Sequence, residues 1–230
     1  MSLIRLPAPA EKAIFVMNGK RAVIFVNGDL PDPAAAAGLF RKDDFLVAAD
    51  GGLRHALSLG LTPHLLIGDL DSVSPQDVAE MRNRSVSIHK FSPAKDETDL
   101  ELALQAALDE GCQQVILIAA LGSRIDHTLG NLCLLTSPAF RDVDVRLDDG
   151  RIEAFVIRET GTVQGQPGDL VSLLPVEFEV QGITTEGLAY PLRGETLMRH
   201  QGRGISNVML EKTAKIRVVE GMLYCIHIRQ

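Results

Sequence analysis

Hydrophobic and polar positions follow two different patterns along the chain, and the change comes near residue 149. Between Arg21 and about Val145, short apolar runs alternate with stretches of helical spacing. The runs, which we predict to be strands, are Ala22–Val26, Phe45–Ala48, Leu65–Ile67, Val86–His89, Val115–Ala119 and Val143–Leu147. Several are apolar throughout, which is typical of strands that helices cover on both faces.

The segments between these runs predict five helices. They are Pro33–Phe40, Gly52–Leu59, Pro75–Arg84, Glu97–Glu110 and Asp126–Leu135. In the fourth, apolar residues recur at i, i+3, i+4 and i+7 from Leu100 to Leu108, which places them on one face of a helix. Repeated alternation of strand and helix indicates a parallel sheet with right-handed crossovers.

After Asp149-Gly150 the helical spacing disappears and short alternating segments follow. The predicted strands here are Ile152–Ile157, Leu170–Leu174, Ser206–Leu210, Ile216–Val219 and Met222–Ile228. Between them we predict turns at Thr160-Gly161, Gln166-Pro167-Gly168, Gln181-Gly182, Arg193-Gly194 and Glu220-Gly221. This pattern predicts a small antiparallel sandwich or barrel.

Acidic residues follow the predicted strands of the first half at the points where those strands end. The turns are Asn27-Gly28-Asp29, Asp50-Gly51-Gly52, Gly68-Asp69-Leu70-Asp71-Ser72, Lys95-Asp96-Glu97-Thr98-Asp99 and Gly122-Ser123-Arg124-Ile125-Asp126-His127. The carboxyl ends of parallel strands lie at one edge of a sheet, where ligands bind, so these turns should converge on one acidic crevice. Neighbouring carboxylates raise each other's pKa or need a cation, and Mg²⁺ held by oxygen ligands typically shares its shell with substrate phosphates.

Each of these motifs also has a simpler structural explanation when it is taken alone. Asp50-Gly51-Gly52 is typical of a turn or a helix start, and Asp69 to Asp71 is compatible with a helix-capping turn. The segment Lys95–Asp99 is compatible with a helix start in which Asp96 is the N-cap and Asp99 stands at N3. It is the occurrence of all five at strand ends that favours a ligand site.

Composition and charge exclude several classes of function. The net charge of −7 argues against a general binder of nucleic acid or anionic membranes, which needs a basic face. The three cysteines form no C-x-x-C pair, no apolar run approaches the ~20 residues of a membrane helix, and no signal-type segment opens the chain. We therefore expect a cytoplasmic protein. The sequence contains neither a P-loop motif nor a Gly-x-Ser-x-Gly motif.

Taken in order, the motifs resemble those of the thiamine pyrophosphokinase family. The matching elements are Asn27-Gly-Asp-Leu, Asp50-Gly-Gly, Gly68-Asp-Leu-Asp-Ser72, Lys95-Asp-Glu-Thr-Asp99, Gly122-Ser-Arg-Ile-Asp-His127 with Asn131, Gly187-Leu-Ala-Tyr-Pro-Leu192 and Gly204-Ile-Ser-Asn207. The resemblance implies an N-terminal open, mostly parallel α/β/α sheet domain and a C-terminal all-β sandwich. We place these domains at residues 21–148, for ATP and Mg²⁺, and 149–230, for thiamine, after a leader over residues 1–20.

The resemblance also implies a reaction, its participants and their sites. Diphosphate would pass from ATP to the hydroxyethyl group of thiamine, releasing AMP, in a homodimer with active sites between subunits. By motif position, Asp69, Asp71 and Asp99 would hold Mg²⁺, with Thr98 beside them. Nucleotide and hydroxyl contacts would come from Asn27, Asp50, Lys95, Asp96, Arg124, Asp126 and Asn131, and thiamine contacts from Asp126, Ser206 and Asn207. Lys95 or Arg124 would offset the phosphate charge, and Asp50 or Asp126 would accept the hydroxyl proton.

The sequence departs from the family in having no tryptophan, so Tyr190 or another residue would have to face the thiamine rings. Three other functions fit part of the pattern. Asp69-Leu70-Asp71 also matches the nucleophile motif of haloacid-dehalogenase-like phosphatases. The other two are a diphosphokinase of the same fold acting on another alcohol, such as a pterin, and a non-catalytic regulator that binds thiamine or a nucleotide.

Overall fold

The computed structural model describes residues 19–230, so all but the last two residues of the predicted leader lie outside it. The helices are α1 Pro33–Ala37, α2 Leu53–Ser58, α3 Pro75–Asn83, α4 Asp99–Asp109 and α5 Ile125–Leu134. The strands of the first half are β1 Arg21–Phe25, β2 Phe45–Ala49, β3 Leu65–Gly68, β4 Ser87–Lys90, β5 Gln114–Ile118 and β6 Asp144–Asp148. Within residues 19–230, no helix is long and apolar enough to cross a membrane.

The strands of the first half form a parallel sheet in the order β4-β3-β2-β1-β5-β6. Strand β1 shows why these strands are apolar throughout. Its residues Ala22 and Ile24 pack in the cluster that contains the buried face of α4, whereas Val23 and Phe25 face the opposite side with Ala56 of α2. Both faces are therefore covered by helices, and the predicted α/β/α arrangement of this half is observed.

The remaining strands are β7 Ile152–Ile157, β8 Thr160–Gln164, β9 Leu170–Pro175, β10 Glu179–Glu186, β11 Arg193–Met198, β12 Asn207–Val208, β13 Thr213–Arg217 and β14 Leu223–Ile228. Four of them extend the first sheet in the order β6-β7-β14-β9-β12, with antiparallel pairing from β6 onward. The other four form a second, antiparallel sheet in the order β11-β10-β13-β8.

The two sheets enclose a separate apolar core, as expected for a sandwich. The large sheet contributes Phe155, Ile157, Val171, Leu173, Leu223 and Cys225, and the second sheet contributes Val163, Val180, Ile183, Leu197, Ala214 and Ile216. A mixed α/β fold with a second antiparallel sheet is thus confirmed. The large sheet continues from β6 into β7, so the boundary at residue 148 stays a prediction.

Three predicted turns of the second half were wrong because they lie within strands. Thr160-Gly161 opens β8, and Arg193-Gly194 opens β11. Gln181-Gly182 lies inside β10, where the register against β11 shifts between Val180 and Ile183 and Gly182 adopts a φ of 66°. A glycine at a β-bulge resembles a turn signal in sequence, although the strand continues through it.

Candidate active site

The loops that follow β1 and β5 are hydrogen-bonded to each other at the carboxyl edge of the parallel sheet. The amide of Gly28 donates to the Ala119 carbonyl at 2.8 Å, and the amide of Asp29 donates to the Leu121 carbonyl at 2.8 Å. The Asp29 carboxylate accepts a bond from the Ser123 amide at 2.9 Å. Strand β1 is where the order of the sheet reverses, so these loops border the crevice in which open α/β sheets bind ligands.

Three carboxylates meet beside this crevice. Asp50 begins the 3₁₀ turn after β2, Asp69 follows β3, and Asp99 is the first residue of α4. One oxygen of each lies within 4.8 Å of those of the other two. Asp50 is buried and the other two are half-buried. A set of three close carboxylates is suited to a hard divalent cation, because such ions prefer oxygen ligands and offset the mutual repulsion.

The backbone reaches this arrangement through unusual conformations. Asp50 has a φ of 45° and Leu70 a φ of 63°, and non-glycine residues with such positive values are concentrated at functional sites. Gly68, at the end of β3, has a φ of 142°. The cluster therefore depends on local backbone geometry that the residue spacing does not reveal.

The fourth turn holds Lys95 next to the carboxylates. Its ammonium group forms an ion pair with Asp99 and lies 5.6 Å from the centre of the Phe91 ring. Thr98 is the N-cap of α4 and forms a capping box with Glu101, so the helix begins at Asp99. The alternative in which Asp96 caps the helix and Asp99 stands at N3 was therefore wrong, since Thr98 followed by Glu101 is the stronger cap. Asp96 is exposed.

Asp71 lies outside the group of three carboxylates, although it belongs to the same turn as Asp69. Its amide donates to the Asp69 carboxylate at 3.1 Å, and its own carboxylate accepts a bond from the Ser72 hydroxyl at 2.9 Å. The Ser72 amide donates to Asp50 at 3.3 Å. Sequence reasoning placed Asp50 with the nucleotide, whereas the structure brings it to Asp69 and Asp99.

Arg124 and Asp126 form an exposed bidentate ion pair at the start of α5. The guanidinium donates from Nε at 2.9 Å and from Nη2 at 2.5 Å. These hydrogen bonds hold the pKa of the Asp126 carboxyl well below its usual range. In this arrangement Asp126 is a weak base, because a carboxylate with a low pKa takes up a proton poorly.

The two asparagines predicted on the nucleotide side have contacts within the loops. Asn131 donates to the Ala120 carbonyl at 2.6 Å and so ties α5 to the end of β5. The Asn27 side chain packs against Gly51, where a Cβ atom would come within 2.6 Å of it. Sequence reasoning missed Arg54, whose guanidinium donates to the Gly28 carbonyl at 2.9 Å and braces the first loop. An arginine in the first turn of a helix carries no signal for such a contact.

Ser206 and Asn207 lie in the other half of the molecule, at the outer strand β12. The Asn207 side chain holds the backbone of Tyr190 from both sides, because its oxygen accepts from the Tyr190 amide at 3.0 Å and its nitrogen donates to the Tyr190 carbonyl at 2.7 Å. The Tyr190 side chain is exposed. Ser206 has a φ of 58°, and its amide donates to the Ser172 hydroxyl at 3.0 Å.

Fold and site together define an α/β protein that has a carboxylate group beside the crevice at the switch point of its sheet, which is where proteins of this class bind their ligands. Two family models match the chain: thiamin pyrophosphokinase, catalytic domain, over residues 36–147, and thiamin pyrophosphokinase, vitamin B1 binding domain, over residues 159–223. Together the two models cover most of the chain. It belongs to the thiamine pyrophosphokinase family.

Individual relatives agree with this assignment. The chain is 27% identical over 182 residues to the thiamine pyrophosphokinase of Bacillus subtilis (strain 168), covering 78% of this chain and 85% of that protein. It is 25% identical over 262 residues to thiamine pyrophosphokinase 1 of Oryza sativa subsp. japonica, covering 99% and 96% of the two chains. The crystal structure of the Bacillus subtilis protein shares the fold, with a TM-score of 0.82 and 24% identity over 92% of this chain and 100% of that one. The family is one of ATP-dependent diphosphotransferases, and membership favours this activity over the phosphatase, pterin and regulator alternatives.

Proposed function

We propose that this chain transfers the diphosphate group of ATP to the hydroxyethyl group of thiamine, giving thiamine diphosphate and AMP. The observation that carries the proposal is the convergence of Asp50, Asp69 and Asp99 at the carboxyl edge of the sheet, in a chain that matches both family models. Residues 21–148 bind ATP and the metal in this proposal, and residues 149–230 bind thiamine.

Mg²⁺ is the cation that fits the three carboxylates, because they offer only oxygen ligands and converge on one point. Asp69 and Asp99 would hold it and Asp50 would complete the group. Asp71, in the same turn as Asp69, would join them as a ligand if its carboxylate turned from the Ser72 hydroxyl to the ion. When bound, the ion neutralises phosphate charge and orients the β-phosphorus of ATP. Thr98 supports this arrangement by fixing the start of α4, so that Asp99 points into the site.

Cationic side chains stabilise the charge that grows on the phosphate oxygens as AMP leaves. Lys95 stands next to the cluster through its ion pair with Asp99. Arg124 is exposed at the mouth of the crevice and is bound to Asp126. Asn27, Asp96 and Asn131 belong to loops at the same edge and complete the nucleotide side.

The base that accepts the hydroxyl proton is Asp50 or Asp126. The hydrogen bonds from Arg124 keep the pKa of Asp126 low in this state, which favours neither proton uptake nor a role as base. If Arg124 turns to the phosphates when ATP binds, those hydrogen bonds are lost and the basicity of Asp126 rises. One movement would then supply a cation to the phosphates and a base to the acceptor.

The arrangement of the strands supports a homodimer with active sites between subunits. Ser206 and Asn207 lie at β12, whereas Asp50 follows β2, Asp69 follows β3, and Asp99 joins them at the start of α4. Strands β12 and β2 are seven positions apart in the large sheet, which at ~4.8 Å per strand corresponds to roughly 34 Å along the sheet. A single thiamine molecule is too small to span that separation, so the acceptor segment of one subunit serves the carboxylates of the other. The exposed Tyr190 ring, held beside Asn207, is the aromatic face offered to thiamine.

We also propose the cytoplasm as the compartment in which the protein works. Cys112, Cys133 and Cys225 are all free thiols. Unpaired cysteines are typical of a reducing compartment.

The activity is tested by incubating the protein with ATP and Mg²⁺, with and without thiamine, and separating the products by chromatography. We expect AMP and thiamine diphosphate in equal amounts, only when thiamine and metal are both present. A hydroxymethyl pterin supplied in place of thiamine should give no product. Phosphate release without thiamine, or transfer to the pterin alone, would overturn the proposal.

A further inference from the structure

A histidine is enclosed between two acidic side chains in the second half of the molecule, outside the site described above. His227 on β14 is fully buried, and Glu153 and Asp169 are buried as well. Its Nδ1 atom lies 3.2 Å from a Glu153 oxygen, and its Nε2 atom lies 3.0 Å from an Asp169 oxygen. Both ring nitrogens therefore face carboxylate oxygens at hydrogen-bonding distance.

This geometry requires a protonated ring. A neutral imidazole has one N–H donor and one lone pair, so one nitrogen would place its lone pair against a carboxylate. Only the imidazolium form donates at both nitrogens, and it also balances charge in a buried site. The directions of the pKa shifts agree. Burial acts to lower the pKa of His227, but its hydrogen bonds to Glu153 and Asp169 outweigh burial and raise it above the ordinary value.

The two carboxylates are held in their charged forms. Burial raises the pKa of Glu153, but the bonds from His227 and Arg146 prevail and lower it to about 2. The pKa of Asp169 is also lowered: burial opposes the change, but bonds from the Gln230 and Gln166 amides and from His227 outweigh burial. Neither carboxylate therefore titrates near neutral pH, which leaves the imidazolium as the member of this group that can lose its proton as the pH rises.

The remaining charged groups around His227 come from the strands next to it. Arg146 of β6 donates to Glu153 at 2.7 Å. Arg229, directly after β14, lies 3.6 Å from Glu153 and binds Asp148 at 2.7 Å and 2.9 Å. Asp149, next to Asp148, also raises the pKa of Arg229, whereas burial opposes that rise. The pKa values of Arg146 and Arg229 are both raised, so these two side chains stay charged at neutral pH.

Asp169 connects His227 to the segment that carries Ser206 and Asn207. The carbonyl of Asp169 accepts a hydrogen bond from the Met209 amide at 2.8 Å, and the amide of Gly168 donates to the Met209 carbonyl at 2.9 Å. Asn207 pairs with Val171 of β9, the strand that begins directly after Asp169. The backbone at Asp169 therefore helps to position Met209 directly and Asn207 through β9.

We propose that His227, as an imidazolium, is a positioning residue for the acceptor segment 206–209, and that the loss of its proton at alkaline pH releases that segment. We call the hydrogen bonds from His227 to Glu153 and Asp169, together with the backbone contacts from Asp169 to Met209, the latch. The inference rests on the proposed function for the identity of the acceptor, but the latch itself does not depend on it. A raised pKa means that the latch is intact below the ordinary histidine pKa and is lost as the pH rises through the higher value. The order of the segment and the affinity for thiamine fall together.

The latch is tested without substrate by NMR of the full chain. Ring nitrogen shifts should report an imidazolium at His227 at pH 7, and a titration midpoint above the ordinary histidine value of about 6.5. Amide-exchange protection factors, which remove the intrinsic effect of pH, should fall about tenfold at Met209 as His227 deprotonates. His227→Gln should show low exchange protection of the Met209 amide at every pH, whereas the control His200→Gln should match the wild type. If His227→Gln fails to fold, Asp169→Asn provides a second variant. A neutral His227 ring at pH 7, or Met209 protection that does not follow its titration, overturns the latch.

Kinetics then tests its effect on catalysis. In the wild type, the KM for thiamine should rise about tenfold across the His227 titration, while the KM for ATP stays constant. His227→Gln should show the high thiamine KM and no pH dependence of it in this range. A thiamine KM that rises equally in the wild type and in His227→Gln overturns the positioning role. If thiamine is not an acceptor at all, the amide-exchange data alone test the latch. Failure of the proposed function can therefore be distinguished from failure of the latch.

Discussion

The backbone of Gly68 lies directly against the carboxylate of Asp99. A methyl group built on Gly68 would be 2.9 Å from Cγ of Asp99 and 3.1 Å from Cβ of Asp50, and the φ of Gly68 is 142°. The end of β3 therefore lies between two of the three carboxylates, and their separation depends on the absence of a side chain there. If these carboxylates hold the metal as proposed, metal binding and backbone shape are coupled at this residue.

Gly68→Ala should therefore lower magnesium-dependent turnover by about a hundredfold or more, because displacement of about 1 Å at a catalytic group has effects of that size. Gly60→Ala is the matched control. Its φ is also positive, at 72°, but no atom lies within 4 Å of the added methyl group. We expect Gly60→Ala to cost about 1–3 kcal/mol of unfolding free energy and to keep full turnover. Equal turnover of the two variants would contradict the coupling.

Removing one charge from the carboxylate group should abolish the reaction and leave the fold intact. We expect Asp69→Asn and Asp99→Asn to lower AMP release at least ~1,000-fold. Each removes a carboxylate that we propose as a metal ligand, so the charge on the phosphates is no longer neutralised. The thermal unfolding midpoint of Asp69→Asn should not fall, because the change relieves repulsion among carboxylates. Asp99→Asn also removes the ion pair with Lys95, so its midpoint should be the lower of the two. Asp43→Asn, at an exposed aspartate before β2, is the control and should behave as the wild type. Magnesium-dependent turnover by Asp99→Asn would exclude Asp99 as a ligand.

Arg124→Ala should raise the pKa of Asp126 toward the ordinary value of about 3.9. The wild-type pKa is depressed by the two hydrogen bonds from Arg124, so the carboxylate stays charged until the pH falls well below that value. In the variant it takes up its proton at a higher pH. Carboxyl-carbon NMR of Asp126 measures the midpoint, with Arg82→Ala, at an exposed arginine of α3, as control. An unchanged midpoint in Arg124→Ala would show that the pair does not persist in solution.

The buried pair of Arg21 and Asp44 should be a strong determinant of stability. Arg21 donates to Asp44 at 2.7 Å and 2.6 Å, and both residues are buried next to β1 and β2. Asp44→Ala leaves a buried guanidinium without its partner, so we expect a loss of about 3–5 kcal/mol in urea unfolding. The exposed pair of Lys20 and Glu110 is the comparison, and Lys20→Ala should leave the free energy of unfolding close to that of the wild type, because solvent screens an exposed ion pair. Similar losses in the two variants would contradict this contrast.

Much of the fold follows from the sequence because the first half combines two clear periodicities. The strand at Ala22–Val26 is apolar on both faces, and residues Leu100 to Leu108 mark one helical face, so both were predicted within two residues of the observed bounds. The strands of the second half are harder to predict from the sequence. Strand β10 carries Gly182 at a bulge, and β11 begins with Arg193-Gly194, so local turn signals hid strands that cross-strand pairing maintains.

The sequence predicted which turns form the candidate site, but not how their side chains are arranged. Strand ends determine where the acidic turns gather, which the positions of Asp69 and Asp99 illustrate. The inclusion of Asp50 depends on its φ of 45°, and backbone strain of this kind is not encoded in residue spacing. Likewise, the role of Asn207 in clamping Tyr190 depends on a contact between residues 17 positions apart. The capping box from Thr98 to Glu101, by contrast, is a sequence signature that our assignment of Asp96 as the N-cap overlooked.

The central claim is that one diphosphate unit moves intact from ATP to thiamine, and isotope position tests it most directly. ATP labelled at the α- or the β-phosphorus is incubated with the protein, Mg²⁺ and thiamine, and the label is followed by chromatography. We predict the β label in thiamine diphosphate and the α label in AMP, with no transfer by Asp99→Asn. Appearance of ADP with thiamine monophosphate, or of labelled inorganic phosphate without thiamine, would contradict the account.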